Sequence, residues 1–163
     1  MRSLKVLVLE DSPFQLMAIH QMLNASGVFN VLTADTLEAA EASLANRGPV
    51  DIAICDLQLD KGDGVDLINH LARERLAHAL IILSSTERRR LDGAAQSARQ
   101  QGLHVLAALQ KPASASVLHC LLQAYLDTAC LPRAALPLAE VQLLDESHGW
   151  PWGLTSRGAP GGR

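Results

Sequence analysis

Five polar positions stand where chemistry would need them: Glu10 and Asp11 directly after the run VLVL, Asp56 after DIAIC, Ser84 after LIIL, and Lys111, followed by Pro112, after VLAALQ. Each apolar run has the pattern of a buried strand. Each polar group then falls at a strand's carboxyl end, the edge where open parallel α/β sheets place their ligand sites. Three carboxylates gathered at one point repel one another. A hard divalent cation with oxygen ligands relieves that repulsion, and Mg²⁺ is the usual one beside a phosphoryl group. The hydroxyl of Ser84 and the ammonium of Lys111 suit phosphoryl oxygens.

The elements that must position these groups are set by the pattern between them. Lys5 to Leu9 carries a continuous Val and Leu run after its lysine, the pattern of a strand buried on both faces. Ser12 then caps a helix with Pro13 at its first position, where a missing N–H costs nothing. Leu16, Ile19, Met22 and Leu23 form that helix's apolar stripe, and Gly27 ends it. Val31 to Ala34 is a second strand, and Thr36 caps a helix stopped by Gly48-Pro49. Asp51 to Asp56 reads as the third strand, with a Lys61-Gly62-Asp63-Gly64 loop after it and then a helix carrying Val65, Leu67, Ile68 and Leu71. Asp60 and Asp63 read as solvated loop acids or helix caps. Ala79 to Leu83 and Val105 to Leu109 are the fourth and fifth strands. A polar helix from about Glu87 to Gln101 lies between them, and a last helix runs from Ser114 to about Ala129. Five strands alternating with five helices predict an α/β fold, a doubly wound parallel sheet with flanking helices.

The chain has 163 residues, 48% hydrophobic and 19% charged, which suits one soluble domain with a core of useful size. A net charge of −3 argues against nucleic acid as a partner, because backbone binding needs a surplus of Lys and Arg. No apolar run approaches the ~20 residues that span a bilayer, and no secretory signal opens the chain, so a cytoplasmic protein without a membrane segment is expected. Cys55, Cys120 and Cys130 have no metal-like spacing and read as inert thiols. The 6 histidines are scattered singly, which argues against zinc. Residues 131–163 collect Pro and Gly and read as a partly disordered tail rather than a second domain, with one or two helical turns at Leu138 to Leu144 and with Trp150 and Trp152 as surface anchors.

With these motifs in this order, residues 4 to about 129 resemble the receiver domain of bacterial two-component response regulators. The resemblance implies a flavodoxin-like five-stranded sheet of order 2-1-3-4-5 over residues 1–130. It implies that Asp56 in ICDLQL accepts a phosphoryl group from a sensor histidine kinase or a histidine phosphotransfer protein. Glu10, Asp11, Asp56 and the backbone carbonyl of Gln58 would hold Mg²⁺, Ser84 would turn toward the phosphoryl group, and Lys111 would pair with its oxygens. The bond between Lys111 and Pro112 is often cis in the family, aiming the lysine inward. VLVLEDSPFQ and DIAICDLQL look most like receivers joined to EAL-type cyclic-di-GMP phosphodiesterases. The phosphodiesterase itself is not expected in this chain, and enzymatic turnover beyond handling its own phosphoryl group is not expected either.

Two departures qualify the resemblance. Ala108 stands three residues before Lys111, where many receivers carry a switch aromatic. No output domain is expected after residue 130, so output would pass to a downstream protein target unless the chain is the N-terminal fragment of a longer regulator. Two other functions compete: a degenerate receiver kept as a constitutive docking module, and a Mg²⁺-dependent phosphatase with an aspartate nucleophile. Asp60 is not at the spacing that phosphatase chemistry needs. Arg88, Arg89 and Arg90 oppose the dipole of the helix they open and read as a solvated face before a partner site. Helices one and five offer a surface for a homodimer, and monomer and dimer both fit the sequence.

Overall fold

The computed structural model describes residues 3–129. The expectations for residues 131–163, including Trp150 and Trp152, lie outside the described residues, as does Cys130. The elements are β1 (Lys5–Leu9), α1 (Pro13–Ala25), β2 (Asn30–Ala34), α2 (Leu37–Arg47), β3 (Val50–Cys55), α3 (Gly64–Glu74), β4 (Ala77–Ser84), α4 (Arg88–Gln100), β5 (His104–Gln110) and α5 (Ala115–Ala129). All strand pairs are parallel and the order is β2-β1-β3-β4-β5, as the resemblance implies.

Alternation along the strands divides the core into two layers. Leu7 and Leu9 of β1, Ala53 and Cys55 of β3, and Leu80 and Ile82 of β4 face a layer closed by Ala40 and Leu44 of α2, Leu67, Ile68 and Leu71 of α3, and Leu91 of α4. Val6, Val8, Ile52, Ile54, Ala79 and Ile81 face the opposite layer, closed by Ile19 and Leu23 of α1 and by Leu118, Leu121, Leu122 and Tyr125 of α5. Each Leu or Ile so buried contributes about 1.5–3 kcal/mol, so both layers are needed to hold the sheet between them.

Helix starts obey their capping residues. The side chains of Ser12, Thr36 and Asp63 accept the N–H groups of Gln15, Ala39 and Val65 at 3.4, 3.0 and 2.9 Å. The strand ends differ slightly from the sequence pattern. β4 begins at Ala77, two residues before its apolar run, because Ala77 pairs with Val50 of β3. β5 carries one irregularity: Leu80 pairs with Val105 but Ile81 pairs with Ala107, which leaves Leu106 as a bulge. Leu106 and Ala107 consequently lie in the same layer, and Ala108 packs on the other one.

Candidate functional site

Glu10 and Asp56 each come directly after the last paired residues of their strands, Leu9 and Cys55, which face each other in the β1–β3 ladder. Their backbones are held by the sheet: the Asp56 N–H donates to the Leu9 carbonyl at 3.1 Å and the Glu10 N–H to the Ala34 carbonyl at 3.0 Å. Both side chains are buried and Asp11 is half-buried. Carboxylate oxygens of Glu10, Asp11 and Asp56 all lie within 4.8 Å of one another. The strand ends thus bring together the three acids expected to meet.

Lys111 reaches into this group from the turn after β5, across a cis bond to Pro112. Its ammonium donates to Asp56 Oδ2 at 2.7 Å, to Glu10 Oε1, and to Gln15 Oε1 of α1 at 2.5 Å. Burial pushes the Glu10 carboxyl above its ordinary value, and the Lys111 hydrogen bond only partly offsets this. For Lys111 burial favours the neutral amine, but the hydrogen bonds to Asp56 and Glu10 together outweigh it and hold the ammonium above the usual lysine range. The lysine is therefore a fixed positive charge at neutral pH. Gln15 had no signal in the sequence beyond its place in the first turn of α1.

The loop after β3 closes around Asp56. The Gln58 N–H donates to Asp56 Oδ1 at 2.9 Å, so the carboxylate's two oxygens are held by different donors, Gln58 and Lys111. The Asp60 N–H donates to Asp11 Oδ2 at 2.6 Å, which fastens the loop to the acid after β1. Asp63 caps α3, one of the two roles expected for it. Gly64 opens α3 so close to the strand end that a Cβ there would stand 2.0 Å from the Asp56 carbonyl oxygen. Cys55 is fully buried, and burial together with the Asp56 charge pushes its thiol up to about 12, as suits an inert core residue.

Ser84, fully buried, ends β4. Its carbonyl accepts the Lys111 N–H at 2.9 Å, and its hydroxyl accepts the Thr86 N–H at 3.4 Å. It joins the lysine through the backbone, while its hydroxyl serves the loop before α4. That loop is stitched to β5 twice more. The Gln110 amide donates to the Thr86 carbonyl at 2.9 Å, and Arg88 donates to the Ala108 carbonyl at 2.6 Å and to Asp92. Arg90 pairs with Asp63 across the loops. Arg88 and Arg90 are therefore not merely a solvated face: they tie α4 to β5 and to the start of α3, which explains arginines at a helix start that their charge does not favour.

The donor set is three carboxylates, all hard oxygen ligands, with one carboxyl raised by burial. It fits Mg²⁺ and offers nothing to a soft metal. No helix among the described residues is long and apolar enough to cross a membrane.

Comparison with known proteins agrees with the geometry. The family described as "Response regulator receiver domain" matches residues 6–123. A cyclic di-GMP phosphodiesterase, RocR of Pseudomonas aeruginosa, is 34% identical over 130 residues, which are 77% of this chain; the chain spans only 32% of that relative's length. A response regulator receiver domain protein from Clostridium thermocellum has 27% identity and a TM-score of 0.63, covering 78% of this chain and 97% of that one. The N-terminal domain of a response regulator/sensory box/GGDEF three-domain protein from Carboxydothermus hydrogenoformans has 25% identity and a TM-score of 0.63, covering 77% and 95%.

Proposed function

We propose, since the chain belongs to the response regulator receiver domain family of two-component signalling, that it accepts a phosphoryl group on Asp56 and passes the signal to a protein partner. The observation that carries this reading is the convergence of one ammonium on the buried carboxylate of Asp56 beside two further acids. The donor would be the phosphohistidine of a sensor kinase or phosphotransfer protein. An Asp56 carboxylate oxygen attacks phosphorus, the O–P bond forms as the N–P bond breaks, and the leaving imidazole recovers a proton from solvent. A carboxylate is a weak nucleophile, so the site works by position and by neutralising the charge that spreads over the equatorial oxygens.

Glu10, Asp11, Asp56 and the Gln58 backbone carbonyl would hold Mg²⁺, which supplies charge neutralisation and orientation when bound. The chain's own residues do the rest. Gln58 N–H fixes one carboxylate oxygen of Asp56, Lys111 meets the phosphoryl oxygens, and the sheet keeps the strand end from retreating. Ser84 turning its hydroxyl to the phosphoryl group would release the Thr86 N–H and disturb the loop before α4. Such a module acts in the cytoplasm, where its kinase presents phosphohistidine. A second reading, a constitutive docking module, is favoured only by Ala108 in place of the switch aromatic. The phosphodiesterase activity of RocR belongs to that protein.

The test is intact-mass spectrometry of the chain after incubation with Mg²⁺ and acetyl phosphate or phosphoramidate. One added phosphoryl group, absent from Asp56→Asn at unchanged fold, supports the reading. Undiminished labelling of Asp56→Asn removes Asp56 as acceptor, and an unlabelled wild type that also ignores beryllofluoride favours the docking module.

A further inference from the structure

We propose that Gln15 is a positioning residue for Lys111, holding the ammonium at the phosphoryl position through its side-chain carbonyl; the inference rests on the phosphoacceptor reading above. An ammonium has three N–H donors. Lys111 directs them at Glu10 Oε1, Asp56 Oδ2 and Gln15 Oε1. Two of those acceptors have other duties. The Asp56 carboxylate gives up its own charge when one oxygen becomes the bridge of a mixed anhydride to phosphorus, and Glu10 belongs to the cation's donor set. Gln15 alone is uncharged and outside both, so its hold on the lysine persists while the other partners change.

The amide is itself well placed. It stands in the first turn of α1, where the Gln15 N–H donates to the Ser12 cap at 3.4 Å and Pro13 sets the entry of the helix. Gln15 is exposed whereas the Lys111 side chain is only 12% exposed, so the amide forms the solvent-side wall of the lysine's seat. A hydrocarbon here would hand that N–H to mobile water and leave the four-carbon stem free to swing outward. A carboxylate would compete with the arriving phosphoryl oxygens for the same cation and repel them. A neutral acceptor avoids both faults.

The test compares full-chain wild type with Gln15→Met, nearly isosteric but without the acceptor, and Gln15→Glu, both good helix formers. Beryllofluoride affinity at saturating Mg²⁺, phosphoryl uptake from phosphoramidate, Mg²⁺ affinity, thermal midpoint and the ¹⁵N resonance of the Lys111 ammonium are measured. Gln15→Met is expected to weaken beryllofluoride binding and slow uptake about fivefold, the effect of one hydrogen bond, with unchanged Mg²⁺ affinity and midpoint and a broadened ammonium signal. Gln15→Glu is expected to restore the ammonium signal yet still slow uptake. Gln15→Met indistinguishable from a labelled wild type overturns the role of Gln15 alone, and so does a loss of Mg²⁺ affinity equal to the loss for beryllofluoride. A wild type that takes neither phosphoryl nor beryllofluoride overturns the phosphoacceptor reading and this inference together.

Discussion

The Lys111 ammonium donates to Asp56 Oδ2 at 2.7 Å, joining two residues 55 positions apart in the chain. A cation on a flexible stem and a carboxylate at a strand end are thereby fixed in one geometry. That is the condition for a weak nucleophile to be useful.

Removing the ammonium should separate two functions that share the acids. Lys111→Met leaves Glu10 and Asp56 without their counter-charge, which should cost about 3 kcal/mol of stability in the absence of Mg²⁺. Mg²⁺ affinity should hold or rise, since the cation then meets two freed carboxylates, while phosphoryl uptake falls at least ~100-fold. Calorimetric Mg²⁺ titration alongside mass spectrometry checks this. Parallel losses of both would contradict the geometry.

Cys55 makes stability depend on alkaline pH. A solvated thiol ionises at 9.0 whereas burial pushes the folded one up to about 12, so between these values the unfolded state sheds a proton that the folded state keeps. Stability should therefore fall as pH rises, by about 1 kcal/mol from pH 8 to pH 10, and Cys55→Ala should lack this component. Lys111 adds nothing in that window, because its stabilisation is fully present below the ordinary lysine value of 10.5 and is lost only as pH rises through the higher folded value. Urea midpoints of both proteins at the two pH values measure it.

Two glycines should respond in opposite directions to the same methyl group. Gly64→Ala drives a Cβ against the backbone of Asp56, and since backbone cannot rotate away the overpacking should cost about 1–3 kcal/mol and displace the acceptor. A Cβ at Gly93 of α4 meets nothing within 4 Å, so Gly93→Ala should stabilise by about 0.5–1 kcal/mol through the lower entropy of the unfolded chain. Thermal unfolding of both variants, with phosphoryl uptake for the first, decides.

The sequence exposed those parts of this molecule that rest on periodicity. Five apolar runs and five helices were readable because burial on two faces leaves continuous Val, Leu and Ile, and because Ser12 and Thr36 announce helix starts. Glu10, Asp11, Asp56 and Lys111 were readable because a charge directly after such a run is rare. Cys55 as a core thiol and the cis bond at Lys111 were readable too, the latter only through the family resemblance. Gln15, Arg88 and Gln110 were not, since each is an ordinary polar residue whose meaning comes from a partner up to 96 positions distant. Gly64 announced a turn, but its closeness to Asp56 is a property of how α3 docks.

Leu106 has no opposite number in β4, and this one odd residue inverts the phase of the remaining strand. Ala108 turns to the α4 layer, offers its carbonyl to Arg88, and lies two residues before the Gln110 that grips Thr86. The bulge therefore lets β5 carry one extra apolar residue into the layer of α5 while the pairing from Ala107 to Gln110 fixes where the lysine stands. Replacing Leu106 would be a question of packing volume. Deleting it would set Ala107 directly after Val105 in an unbroken ladder, with Ala107 and Ala108 on the layers they already face, so the ammonium would still reach the same edge and the cost would be the lost packing of Leu106.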